Sequence, residues 1–109
     1  MAIHHASSGE LIDIRPLKGN LKTAVTKALF KSDHLEVSRI VMLAGEEAPR
    51  HQVTGEMTVQ CLEGKVELVM EGATQTMRAG DLICLAGGEP YGLKPMEDST
   101  YLTRRLGVS

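Results

Sequence analysis

Two cysteines and four histidines are the side chains of this 109-residue chain best suited to act as nucleophiles, bases or metal ligands. Cys61 and Cys84 each lie inside an apolar run, and no second thiol sits near either one to form a CxxC pair. Thiols in that setting behave as small hydrophobes, so both are expected to be buried, reduced and inert. Among the histidines, His4, His5 and His34 are expected at the surface. His51 is the fourth, and an imidazole titrates close enough to neutrality to bind a ligand or move a proton wherever a cavity holds it. Glu46, Glu47, Glu97, Asp98 and the Arg104-Arg105 pair read as solvated turns and rim charges.

Short extended segments would have to carry these groups. Leu11 to Ile14 is apolar-rich and ends before Pro16. Leu21, Ala24, Val25, Ala28 and Leu29 fall at helical spacing, while Val25, Leu29 and Lys31 also fit a strand. Residues 21–32 are read as strand, because everything downstream reads as β. Val37, Ile40, Val41 and Leu43 form a strand closed by Ala44-Gly45, and another runs from Met57 to Glu63-Gly64. Lys65 to Glu71 alternates, with Val66, Leu68 and Met70 on one face. A strand through Gln75 and Met77 follows the Glu71-Gly72 turn. After Ala79-Gly80-Asp81, Leu82 to Leu85 reads as a buried strand, and Gly87-Gly88-Glu89-Pro90 breaks the chain. Tyr101 to Thr103 is a last strand, leading into the Arg104-Arg105 tail. Many short strands without a long helix predict an all-β sandwich or barrel in one domain.

The glycine spacing resembles that of the cupins. Their first motif runs glycine, five residues, His-x-His, three or four residues, Glu, six residues, glycine. Gly45 precedes His51 by that interval, and Gly64 closes the motif at the expected distance. The second motif opens at Gly80, reaches Ala86-Gly87-Gly88 and then Tyr91, with fifteen residues between the two motifs. Gln60-Cys61-Leu62-Glu63-Gly64, Arg78-Ala79-Gly80-Asp81-Leu82 and Met96-Glu97-Asp98-Ser99 are also similar to small cupins. The resemblance covers roughly residues 35–105. It implies a double-stranded β-helix, the RmlC-like jelly-roll barrel, spanning residues 35–109, with residues 1–34 as an N-terminal arm and first strands. It also implies a homodimer, in which that arm is free to exchange or pair.

In cupins the two motif histidines and the glutamate, with the histidine of the second motif, point into the barrel and hold a divalent metal. Here His51 alone is kept. The second histidine position is Val53, the glutamate position is Met57, and the second-motif histidine is Tyr91. Valine cannot ligate, methionine sulfur suits soft ions, and a catalytic site ordinarily needs about three protein ligands. No metal cofactor is therefore expected, although Zn, Ni, Mn or Fe on unusual ligands stays open. Glu56 is adjacent to the lost glutamate, but Gly64 fixes the register against it. The resemblance places His51, Val53, Met57, Cys61 and Tyr91 around a cavity, with His51 and Tyr91 facing each other as a candidate acid–base pair.

A net charge of -2 and an aromatic content of 3% provide neither the field nor the stacking surface for nucleic acid. No apolar run approaches a bilayer span and no secretory leader is read, so a soluble, cytoplasmic protein is expected. Three readings of function follow. The first is a metal-free module binding a small molecule in the cavity. The second is an enzyme, by acid–base isomerisation or epimerisation or with an atypically held divalent metal. The third is a structural or regulatory dimerisation unit.

Overall fold

A computed structural model describes residues 5–47, 51–52 and 54–107. A 3-10 helix, Lys18–Thr23, precedes eight strands: β1 (Lys27–Lys31), β2 (Leu35–Met42), β3 (Met57–Glu63), β4 (Lys65–Met70), β5 (Ala73–Arg78), β6 (Leu82–Leu85), β7 (Tyr91–Pro95) and β8 (Ser99–Leu106). They form a five-stranded sheet, ordered β1-β2-β8-β3-β6, and a three-stranded sheet, β5-β4-β7. Every paired strand runs antiparallel to its neighbour.

Period-two alternation sets which side of each strand faces inward. In β3, Met57, Val59 and Cys61 are buried while Thr58 and Gln60 are half-buried. Val66 and Leu68 do the same in β4. These inward residues meet in one core, with Val59, Cys61 and Tyr101 from the larger sheet and Val66, Leu68, Met77 and Leu93 from the smaller. Val59 and Leu68 are 0% exposed, so this end of the interior is filled with side chains.

Three segments differ from the sequence reading. Residues 21–32 are not one strand. Of the helically spaced residues only Leu21 lies in the 3-10 turn, where it is buried; Ala24 is already extended, Ala28 and Leu29 belong to β1, and only Lys27–Lys31 pairs with β2. β7 follows the Gly87-Gly88-Glu89-Pro90 break, where no strand was expected, and β8 runs on through Arg104 and Arg105. β6 is not buried. It forms an edge of the larger sheet, leaving Leu82 54% exposed and Cys84 exposed rather than hidden.

The segment before β1 folds back onto its own chain. The Ala6 N–H donates to the Leu29 carbonyl at 2.8 Å, and an Arg39 guanidinium N–H donates to the Arg15 carbonyl at 2.9 Å. The carboxylate of Glu63 accepts from the Leu17 N–H at 2.7 Å, the Lys18 N–H at 3.1 Å and the Thr100 hydroxyl at 3.1 Å. A carboxylate at the opening of the 3-10 turn satisfies N–H groups that have no partner within the turn. Glu63→Ala is expected to release this arm at a cost of about 1–3 kcal/mol. Tryptic cleavage at Lys18 and Lys22 should then outpace cleavage of the wild type, and unchanged rates would show that Glu63 does not hold the arm.

Candidate functional site

β2 and β8 pair in unbroken register, so their inward residues come as cross-strand couples: Glu36 with Arg105, Ser38 with Thr103, and Ile40 with Tyr101. These three couples line one wall of a cavity of about 410 Å³, and Met42 lies deeper along the same strand. Met57 from β3, Tyr91 and Leu93 from β7, and His51 close the other side. The wall therefore changes character along β2 and β8, from an ion pair through two hydroxyls to apolar groups.

Glu36 and Arg105 form a salt bridge, and the Lys31 ammonium lies 3.9 Å from the other oxygen of Glu36. Among the described residues, the Ser38, Thr103 and Tyr91 hydroxyls have no protein hydrogen-bond partner. The Tyr101 hydroxyl donates to the Met42 sulfur at 3.4 Å. Burial pushes the Tyr101 phenol well above its usual range. Burial also raises Tyr91, with the Arg105 charge opposing more weakly. At neutral pH both tyrosines are hydrogen-bond donors that keep their protons.

His51 and Tyr91 are direct neighbours, not partners across a pocket. They form an isolated antiparallel bridge, with the His51 N–H donating to the Tyr91 carbonyl at 2.8 Å and the Tyr91 N–H to the His51 carbonyl at 2.9 Å. Their ring centroids are 5.9 Å apart, with planes tilted by 37°. His51 is exposed at the cavity edge and Tyr91 is buried. The segment following His51 is seated closely. A Cβ on Gly55 would lie 1.9 Å from the Leu106 carbonyl oxygen, and the Gln52 side chain donates to the Gly88 carbonyl at 2.6 Å.

The expected site residues therefore separate. His51, Met57 and Tyr91 meet at the cavity. Cys61 does not reach it. It shares the inward face of β3, but two side-chain layers deeper, and its thiol points at the Glu63 carbonyl 3.6 Å away. Burial, with Asp81 adding to it, raises that thiol and keeps it unreactive. Val53 lies outside the described residues, as does His4. Glu56 is exposed, as are His5 and His34. Among the described residues, no three His, Cys, Asp or Glu side chains gather where they could hold a metal. With Tyr91 and Met57 beside His51, this donor set does not fit the divalent metals of the motif.

Sequence reasoning missed Glu36, Ser38, Thr103 and Arg105. The signal was there in the alternation of β2, where Glu36 and Ser38 are in step with Ile40 and Met42. In the sequence Arg105 reads as a rim charge; in the structure β8 carries it to the cavity wall.

No protein-family model matches the sequence, and neither does any curated protein. Solved structures do. A conserved protein of unknown function from Streptococcus pyogenes is similar with a TM-score of 0.75 at 20% identity, over 100% of this chain and 96% of the other. A cupin superfamily protein from Desulfitobacterium hafniense gives 0.76 at 16%, over 91% and 95%. An RmlC-like cupin family protein with a double-stranded β-helix fold, from Methanocaldococcus jannaschii, gives 0.73 at 17%, over 90% and 93%.

Proposed function

We propose that this chain, which has the cupin fold, uses its barrel to hold a small organic molecule without the metal that the motif positions of cupins ordinarily bind. The observation that carries this is the cavity of about 410 Å³, which combines an apolar side with donors that the protein leaves unpartnered. Ligand pockets have this character, mostly apolar with a few placed polar groups, and this volume lies toward their small end. A filled interior serving only dimerisation is the weaker reading, since side chains pack the core around Val59 and Leu68 but leave this end open. The protein acts as a homodimer in the cytoplasm. No helix among the described residues is long and apolar enough to cross a membrane.

The His51–Tyr91 bridge supports acid–base chemistry as a second reading, because a base and a hydroxyl stand side by side at the cavity edge. Against it, burial holds the Tyr91 proton more tightly than an efficient acid catalyst at neutral pH would need.

Native mass spectrometry of the purified protein, run with elemental analysis and a His51→Ala control, tests the proposal. The expected result is an organic adduct released on denaturation, with Zn, Ni, Mn and Fe far below one per chain. Near-stoichiometric metal that disappears in His51→Ala would overturn the metal-free reading. Light scattering that gives a monomer mass would overturn the dimer.

A further inference from the structure

We propose that the cavity selects an apolar carboxylic acid, with the carboxylate received by Arg105 and the hydrophobic body lying against Ile40, Met42 and Leu93. This rests on the reading of the cavity as a ligand site and goes on to the ligand's chemistry.

Charge provides the first reason. Glu36 and Arg105 are the carboxylate and guanidinium on the cavity wall, and by themselves they would cancel. Glu36, however, also has the Lys31 ammonium 3.9 Å from its second oxygen. One carboxylate thus answers two cations, and the cluster keeps a single positive charge. Glu36 engages one Nη of Arg105, and the other Nη and Nε have no partner among the described residues. A guanidinium oriented by one carboxylate through part of its fork can take a second carboxylate with the rest.

Geometry provides the second. The couple next to Glu36 and Arg105 is Ser38 and Thr103, whose unpartnered hydroxyls can share the ligand's oxygens, as can that of Tyr91. One couple further, at Ile40 and Tyr101, the wall turns apolar toward Met42. A ligand polar throughout would leave oxygens unpaired against Ile40 and Leu93, which is costly. A wholly apolar ligand would strip water from Arg105 and the hydroxyls with nothing in return. A molecule with one anionic end fits both halves of the cavity.

The probes are benzoate and hexanoate, each against its primary amide, followed by ligand-observed NMR titration. The acids should bind the wild type about tenfold or more tighter than the amides, the scale of a charge-assisted hydrogen bond. Arg105→Met should remove that preference. Because Arg105→Met leaves Glu36 with only the Lys31 ammonium, 3.9 Å away, the double variant Glu36→Gln/Arg105→Met, which removes the ion pair and keeps Lys31, is measured beside it, with circular dichroism to confirm folding. Glu36→Gln alone frees the whole guanidinium fork and should tighten acid binding several-fold without affecting the amides. Equal affinity for acid and amide, or a preference that persists in the double variant, overturns the carboxylate proposal and leaves the ligand site standing. If neither acid nor amide binds, the ligand-site reading falls and this proposal falls with it.

Discussion

Gly64→Ala is expected to cost the fold about 3 kcal/mol or more, lowering the melting temperature by roughly 10–20 °C for a domain of this size. Gly64 is the single residue between β3, in the larger sheet, and β4, in the smaller, and its φ is +88°. Alanine there would be strained by the backbone alone. It would also place a Cβ 2.3 Å from the Ser99 Oγ and 2.5 Å from the Asp98 carbonyl oxygen. Ser99 cannot move aside cheaply, because its hydroxyl accepts from the Lys65 N–H at 3.0 Å and donates to the Glu97 carbonyl at 2.7 Å. The first of those bonds ties the start of β8 to the start of β4. Gly72→Ala is the control that separates the two costs. Its φ is +77°, but a Cβ there meets nothing within 4 Å. Backbone strain alone should cost about 1 kcal/mol. Thermal denaturation followed by circular dichroism reads both variants, and equal losses would show that the close approach at Gly64 contributes nothing.

The second large effect belongs to alkaline pH. The chain has two tyrosines and no tryptophan, so tyrosinate absorbance reports on Tyr91 and Tyr101 alone. An unfolded tyrosine ionises near pH 10. Burial raises both tyrosines in the folded chain, Tyr101 the more strongly. Above pH 10 the unfolded chain therefore gives up protons that the folded chain retains. The stabilisation is fully present below pH 10 and is lost as pH climbs toward the folded-state values, at about 1.4 kcal/mol per pH unit for each group. The expected titration shows less tyrosinate at pH 10 than the unfolded chain gives, then a steep rise that coincides with loss of the circular dichroism signal. Tyr101→Phe should make that transition shallower. As much tyrosinate at pH 10 in the folded chain as in the unfolded one would show that burial does not protect the two phenols.

Much of the framework was legible because it depends on local periodicity. Val66 and Leu68 alternate with Glu67, and Gly64, Gly72 and Gly80 mark the turns, so β3 to β5 could be placed within a residue or two. His51, Met57 and Tyr91 were found only through the resemblance in glycine spacing, since no local pattern brings positions 51 and 91 together. What escaped depends on long-range register or sheet position. Glu36 meets Arg105 because β2 pairs with β8, a contact that neither segment announces on its own. Cys84 lies in an apolar run that reads as buried, yet β6 is an edge strand that leaves Cys84 exposed among the described residues. Residues 21–32 satisfied two periods at once, and the chain uses both in turn, helical near Leu21 and extended from Lys27. Cys61 illustrates a further limit. Facing inward was inferred correctly, but depth along the barrel axis decides whether an inward residue meets a ligand or the core.

The position of β8 bears on how the protein is made. It is the middle strand of the larger sheet, and β2 and β3 both pair with it along most of their lengths. Everything before Ser99 leaves the ribosome without that partner. At roughly 5–20 residues per second, β2 and β3 each spend seconds with a bare edge, inviting mispairing with other chains. Hydrophobic strands in that condition are typical chaperone clients. Closure of the larger sheet is then a late, abrupt event that waits on the arrival of β8. Contacts so distant along the chain also make unassisted refolding slow.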